Sequence, residues 1–64
     1  MKSRLWFIRE TENARLYSKL PPERNPSDED LIWLPKSQIE HTSKEPSGLH
    51  IVTIPDWLGE KKGL

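Results

Sequence analysis

Residues 4–20 read RLWFIRETENARLYSKL, and this stretch decides the fold. Its first part is apolar or aromatic from Leu5 to Ile8 on both alternating faces and is too short for a stable helix, which predicts a strand with both faces at least partly covered. Its last part alternates, which predicts a half-buried strand with Leu16 on the buried face and Tyr17 on the opposite, solvated face. The polar residues between the two parts predict a hairpin turn.

Two further apolar runs lie downstream of this hairpin. Residues 31–34 predict a third strand, which Pro35 ends, and residues 36–39 predict one turn of 3₁₀ helix. Residues 49–54 predict the last strand, because β-branched and apolar residues alternate there between turn signals. In small barrels of the SH3-like kind a 3₁₀ turn with a proline often joins the last two strands, and we expect the turn at 36–39 to do so here.

The segments between these strands are polar. Residues 21–30, PPERNPSDED, contain three prolines and four carboxylates, a composition that cannot enter the centre of a sheet. We therefore expect a long exposed loop there. Residues 40–48 are also polar and end in turn residues, which predicts a second loop.

A short helix is predicted at residues 55–62. A proline suits the first helical position, and Thr53 with Asp56 matches a capping box in which Asp replaces the usual Glu. So short a helix is not stable alone. We expect it to dock on the sheet through Trp57 and Leu58.

The end of this helix carries its own signals. Lys61 and Lys62 suit the negative helix terminus, and Gly63 is a C-capping residue. Leu64 can then fold back as the apolar contact that follows such a cap. The chain is thus predicted to be one mainly β domain over residues 1–64: a small antiparallel SH3-like barrel or curled sheet of four to five strands with a short C-terminal helix.

Composition excludes several classes of function. The chain has ten Lys or Arg, ten Asp or Glu and no Cys, so disulfides, Cys-based zinc sites and Cys nucleophiles are excluded, and a reducing compartment is expected. No apolar run exceeds four residues, so no membrane segment is expected. Zero net charge argues against a general nucleic-acid binder, although the charge is +3 over residues 1–24, −3 over 25–49 and zero over 50–64.

Two stretches carry a resemblance to a known group of proteins. Residues 33–39, WLPKSQI, and 54–64, IPDWLGEKKGL, resemble small uncharacterised proteins of phages and prophages. Members of that group pair W-[IL]-P-K-S-Q-I with a C-terminal P-[DE]-W-L-x-E-K-x-G-L. The resemblance covers residues 4–64 and implies a mobile-element origin, a compact β fold and a location in the cytoplasm of the bacterial host. It implies no mechanism, and the proline-rich loop at 21–30 departs from the tighter connection expected there.

Neither catalysis nor metal binding is predicted. Ser37 lies near His41, but no nucleophile, base and orienting acid follow a known catalytic pattern, so the chain is not expected to be an enzyme. His41 and His50 are the only histidines, and their spacing with the carboxylates matches no zinc template. No cofactor is expected.

A protein partner is the favoured prediction. Three tryptophans exceed what so small a core needs. Adjacent residues in a strand point to opposite faces, so one of Trp6 and Phe7, and one of Ile32 and Trp33, can lie outside the core. Such outer apolar residues could form a partner surface, or the C-terminal helix could cover them. The acidic run at 28–30 could mimic nucleic-acid charge or be an ordinary solvated loop. The expected contact residues are Trp6, Tyr17, Trp33, Arg15, Asp28, Glu29 and Asp30.

Single-stranded nucleic acid is the alternative partner. Such binders combine a positive groove with aromatic stacking platforms. Arg15, Tyr17 and Lys19 share one face of the second predicted strand, and Arg4 and Arg9 lie on the first. A second copy of the chain is a third alternative, because a core of this size is only marginally stabilising.

Overall fold

The computed structural model describes residues 1–64 as one five-stranded antiparallel sheet with a short helix at its end. The strand order is β3-β2-β1-β5-β4, so the strand that begins the chain lies at the centre. The outer edges of β3 and β4 do not pair, so the sheet is curled and not closed into a barrel. This confirms the predicted mainly β class. The elements are β1 (Lys2–Glu10), β2 (Ala14–Ser18), β3 (Leu31–Pro35), β4 (His41–Lys44), β5 (Leu49–Thr53) and α1 (Asp56–Lys61).

Three short 3₁₀ turns complete the fold. Two lie in the predicted loop, at Pro22–Arg24 and Asp28–Asp30, and the third lies at Lys36–Gln38. The third turn was predicted at this place but between the wrong strands. It connects β3 to β4, the two edges of the sheet, whereas β4 and β5 are joined by the turn at 45–48. A turn this short can join the two edge strands because the curl of the sheet brings its edges towards each other.

One face of the curled sheet, here called the inner face, carries the hydrophobic core. Tyr17 of β2 is fully buried there and Leu58 of α1 is only 3% exposed, so the helix packs against that face through Leu58. Phe7, Ile39 and Leu64 are half-buried and pack against the cluster. The buried members of the core are Leu5, Tyr17, Ile32, Leu34, Val52, Ile54 and Leu58.

Strand β2 corrects one prediction. Tyr17 was assigned to a solvated face, but it lies in the core, and Leu16 and Ser18 on the opposite face are buried as well. The strand is therefore covered on both sides, whereas the sequence predicts a half-buried strand. The Ser18 hydroxyl is satisfied locally, because it donates a 2.7 Å hydrogen bond to the Leu20 carbonyl oxygen.

Strand β4 lies in a segment for which the sequence predicts a loop, because residues 41–44 carry no large apolar side chain. Its backbone pairs with β5, with His41 opposite Thr53 and Lys44 opposite His50. A polar strand of this kind is stabilised by the ladder of its neighbour and not by its own burial.

Helix α1 begins at Asp56, with Pro55 as its N-cap residue and no capping hydrogen bond from a side chain. The capping box predicted at Thr53 and Asp56 is therefore wrong. A capping box forms instead in the acidic loop, where the backbone N–H and the hydroxyl of Ser27 each donate to Asp30 Oδ2 at 3.1 Å.

The predicted end of the helix is confirmed. Gly63 has φ of +74°, and the Leu64 N–H donates to the Gly59 carbonyl oxygen at 2.8 Å, which returns Leu64 to the core. Trp57 does not dock as predicted, because its side chain is 55% exposed. None of the helical segments has the length and apolar character that a membrane span requires.

Candidate functional site

A β-bulge in β1 determines which side chains reach each face of the sheet. Phe7 lies opposite Tyr17, but Arg9 lies opposite Leu16, so Ile8 is the extra residue. The alternation of side chains between the two faces therefore shifts by one residue at the bulge. As a result Arg9 lies on the outer face, although it is two residues from Phe7, which points inward.

The predicted division of adjacent aromatic residues between faces is confirmed. Ile32 of β3 is buried on the inner face, whereas Trp33 is 38% exposed on the outer face. Phe7 packs against the core, and Trp6 is half-buried on the outer face, opposite Ser18. The tryptophans of β1 and β3 are therefore on the side of the sheet away from the core.

A groove of about 400 Å³ lies where the outer side of β3 meets α1. Trp33 and Trp57 line it and are among the most exposed large apolar residues of the chain, and the nearly buried Leu58 also lines it. We call it the tryptophan groove. Its lining residues are Asn13, Ala14, Trp33, Pro35, Trp57, Leu58, Lys61 and Lys62.

The charges beside the tryptophan groove are positive. The Arg9 guanidinium carbon lies 5.6 Å from the centroid of the Trp33 ring, within the range of a cation–π contact. Lys61 and Lys62 line the groove from the helix. The groove is thus lined by two tryptophan rings and two lysines, Arg9 lies against one of these rings, and no carboxylate lines the groove.

The basic and aromatic stripe predicted on β2 does not form a binding surface. Tyr17 is fully buried and offers no ring for stacking, because its strand is covered on both sides. The Arg15 Nε donates to Glu10 Oε2 at 3.2 Å, and the Lys19 ammonium lies 3.4 Å from the Gly63 carbonyl oxygen. Among the cations proposed with them, Arg4 and Arg9 are exposed on β1.

The predicted protein-contact residues fall into separate places. Trp6 and Trp33 are on the outer face, whereas Arg15 and Tyr17 are on the inner face. In the acidic run, Asp28 and Glu29 are exposed, but Asp30 accepts two hydrogen bonds from Ser27 and so stabilises its own turn. Sequence reasoning missed Trp57, Lys61 and Lys62, because the helix was expected to bury its tryptophan.

A second polar site lies at one end of the inner face. The Glu10 carboxylate oxygen Oε2 lies 3.2 Å from Arg15 Nε and 3.2 Å from Lys36 Nζ. The Lys36 ammonium, and after it the Arg15 guanidinium, hold the pKa of Glu10 below its ordinary value. Sequence reasoning missed this network, because its three members come from β1, β2 and the 3₁₀ turn.

His50 lies beside this network, within an aromatic cluster. Its imidazole stacks on Phe7 with ring centroids 5.4 Å apart and planes at 12°, and meets the edge of Tyr17 at 6.0 Å. Burial lowers the pKa of His50, and the positive charges of Lys44 and Arg15 lower it further. The imidazole is therefore neutral near pH 7.

The residues considered for catalysis and metal binding lie on different elements. Ser37 and His41 are exposed on the 3₁₀ turn and β4, and His50 is part of the aromatic cluster. No three or more His, Asp or Glu side chains converge in a group that could hold a metal ion. Comparison with protein-family models, curated proteins and solved structures finds no match to the chain.

Proposed function

We propose that this chain is a non-enzymatic interaction module that binds another protein through the tryptophan groove. The observation that carries the proposal is that Trp33 and Trp57, two of the three tryptophans, are exposed and line one groove. Exposing two large aromatic side chains adds nothing to folding in a chain of this size, and tryptophan is the residue most enriched at the energetic centres of protein interfaces.

The chemistry of the groove favours a particular partner. A volume of about 400 Å³ accommodates one or two side chains of an inserted segment. The apolar lining suits an aromatic or branched side chain, and the positive Arg9, Lys61 and Lys62 suit flanking Asp or Glu residues. The proposed partner is therefore a short exposed segment that is both apolar and acidic.

The biological setting is proposed from the sequence motifs. The similarity of residues 33–39 and 54–64 to phage and prophage proteins supports an accessory protein that acts in the host cytoplasm on a host or phage protein. Both motifs contribute a tryptophan to the groove, namely Trp33 and Trp57. Occupying a functional segment of the partner would inhibit that partner.

Single-stranded nucleic acid is the second candidate partner of the same groove. Arg9 beside Trp33 is the observation that favours it, because stacking platforms in such proteins are commonly flanked by cations. The affinity would then fall steeply with salt concentration. A protein partner held mainly by buried tryptophan would be less sensitive to salt.

The proposal is tested by affinity capture from bacterial lysate with three immobilised proteins: wild type, W33A/W57A and I8A. Ile8 is a matched control, because it is 36% exposed, apolar and outside the groove. We expect a protein that wild type and I8A retain equally and that W33A/W57A loses. That protein, once purified, should bind with a Kd at least tenfold weaker for the double variant, since one interface tryptophan contributes about 2 kcal/mol or more.

Other outcomes would overturn the proposal. If W33A/W57A is folded by circular dichroism and captures the same proteins as wild type, the groove is not the binding site. Labelled oligonucleotides in fluorescence anisotropy test the nucleic-acid candidate, and analytical ultracentrifugation tests self-association. Binding in either assay that W33A/W57A abolishes would assign the groove to that partner instead.

A further inference from the structure

A separate cavity of about 210 Å³ lies at the polar end of the inner face. It shares no lining residue with the tryptophan groove. Donor groups predominate in its lining, and no carboxylate contributes to it. Its lining residues are Arg15, Lys36, Ile39, His41 and Thr42.

The charges around this cavity are not balanced. Arg15 and Lys36 share a single acceptor atom, Oε2 of Glu10, and the Glu10 side chain is 47% exposed. Lys44 adds a third positive charge, which acts with Arg15 on the neighbouring His50. One half-exposed carboxylate thus pairs with two cations through a single oxygen, the position to which both already converge.

A buried hydroxyl lies next to one of these cations. Tyr17 is fully buried, and its hydroxyl has no hydrogen-bond partner of acceptable geometry. It lies beside the Arg15 guanidinium, whose pKa it raises together with Glu10. An unpaired buried hydroxyl costs about 1–3 kcal/mol, so such groups are normally satisfied. Because Tyr17 does not line the cavity, it acts on a bound anion only through Arg15.

We propose that this cavity binds the phosphate group of a small molecule, with Arg15 and Lys36 as the charged donors and Thr42 as a hydroxyl donor. A phosphate dianion has three terminal oxygens and two negative charges, which match several donors better than one carboxylate does. Glu10 is the competitor that leaves when phosphate enters. The site is independent of the proposed protein partner.

The first test is an NMR titration of the wild-type protein with inorganic phosphate and with adenosine 5′-monophosphate, at pH 7.0 and constant ionic strength with chloride. We expect saturable shifts of the His41 and His50 imidazole signals. Equal affinity for both probes would show that only the phosphate group is bound, and tighter binding of the nucleotide would show that the base also contributes. No saturable shift with either probe would refute the proposal.

Variants separate a specific site from general attraction to positive charge. K36M and R15M should each weaken phosphate binding about tenfold, the effect of losing one charge-assisted hydrogen bond. R24M is the matched control, since it removes the same charge from an exposed turn outside the cavity. K36M keeps the test valid if R15M fails to fold, because Lys36 is the more exposed of the two.

Glu10 gives a readout that a purely structural role would not. E10Q should bind phosphate more tightly than wild type, because the competing carboxylate charge is gone. Equal affinity of wild type, E10Q and K36M would show that phosphate associates without using this cavity, and the proposal would be wrong.

Discussion

Phe7 and Arg9 are two residues apart in one strand and yet lie on opposite faces of the sheet, because Ile8 is the extra residue of a β-bulge. The bulge places Arg9 on the outer face beside Trp33, and Glu10 on the inner face beside Arg15. Without the bulge, Arg9 would lie on the inner face and Glu10 on the outer face. One inserted residue therefore supplies a cation to the tryptophan groove and a carboxylate to the phosphate cavity.

Deleting Ile8 should be tolerated, because the remaining strand then has regular alternation with Phe7 still opposite Tyr17 and Arg9 still opposite Leu16. We expect the fold to be retained, with backbone ¹H–¹⁵N NMR shifts changed only near the bulge. Deleting Trp6 is the comparison, since it moves Leu5 to the wrong face and should unfold the protein. Loss of structure in the Ile8 deletion would show that the bulge is needed for folding.

The lowered pKa of His50 predicts loss of stability in acid. The unfolded state then takes up a proton at a higher pH than the folded state. The stability that the neutral His50 imidazole contributes is therefore complete above pH 6.5, and it is lost as the pH falls from there through the folded pKa. Each unit by which the folded pKa lies below the unfolded pKa contributes about 1.4 kcal/mol to the free energy of unfolding. Urea unfolding from pH 7.5 to 5 should show this decrease.

Two histidine variants test whether His50 causes the loss of stability in acid. In H50Q it should disappear between pH 6.5 and 5, whereas in H41Q, which changes an exposed histidine of β4, it should persist. An unchanged pH profile in H50Q would mean that another group causes the acid sensitivity.

The unpaired hydroxyl of Tyr17 predicts that Y17F stabilises the free protein. Phenylalanine keeps the ring that packs edge-on against Phe7 at 5.8 Å and removes the buried polar atom. We expect the free energy of unfolding to rise by about 1 kcal/mol. Thermal unfolding in phosphate-free buffer measures it, and a decrease would show that the hydroxyl is paired in solution.

Helix docking should depend on Leu58 and not on its neighbour Trp57. L58A leaves a cavity in the core and should lower the free energy of unfolding by about 2–4 kcal/mol. W57A removes a larger side chain that is 55% exposed, and should change it by less than about 1 kcal/mol. Chemical denaturation followed by circular dichroism checks both, and similar losses would contradict the observed orientation of the helix.

Gly59 should resist replacement, although alanine is the better helix former by about 1 kcal/mol. The residue is buried, and the Met1 sulfur occupies the space that a Cβ atom would take. G59A must displace the Met1 side chain, and we expect it to be about 1 kcal/mol less stable than wild type. E60A, at the next exposed position, is the control, and a gain in stability for G59A would mean that Met1 moves without cost.

The sequence alone determined where most elements lie. Apolar runs bounded by prolines and polar clusters located four of the five strands, because a strand that contributes to the core must carry such residues. Pro55 and Gly63 located the helix, since each suits only one end of it. The polar β4 was invisible to this reasoning, because its pairing partner lies in another segment.

The tertiary structure alone decided which side chains are available for function. Alternation in β2 separates Leu16 from Tyr17 but does not say which faces the core, and both are buried because both faces are covered. The exposure of Trp57 depends on the angle at which a two-turn helix meets the sheet. The meeting of Glu10, Arg15 and Lys36 depends on a bulge, a strand register and a 3₁₀ turn, and these long-range relations leave no pattern in the local sequence.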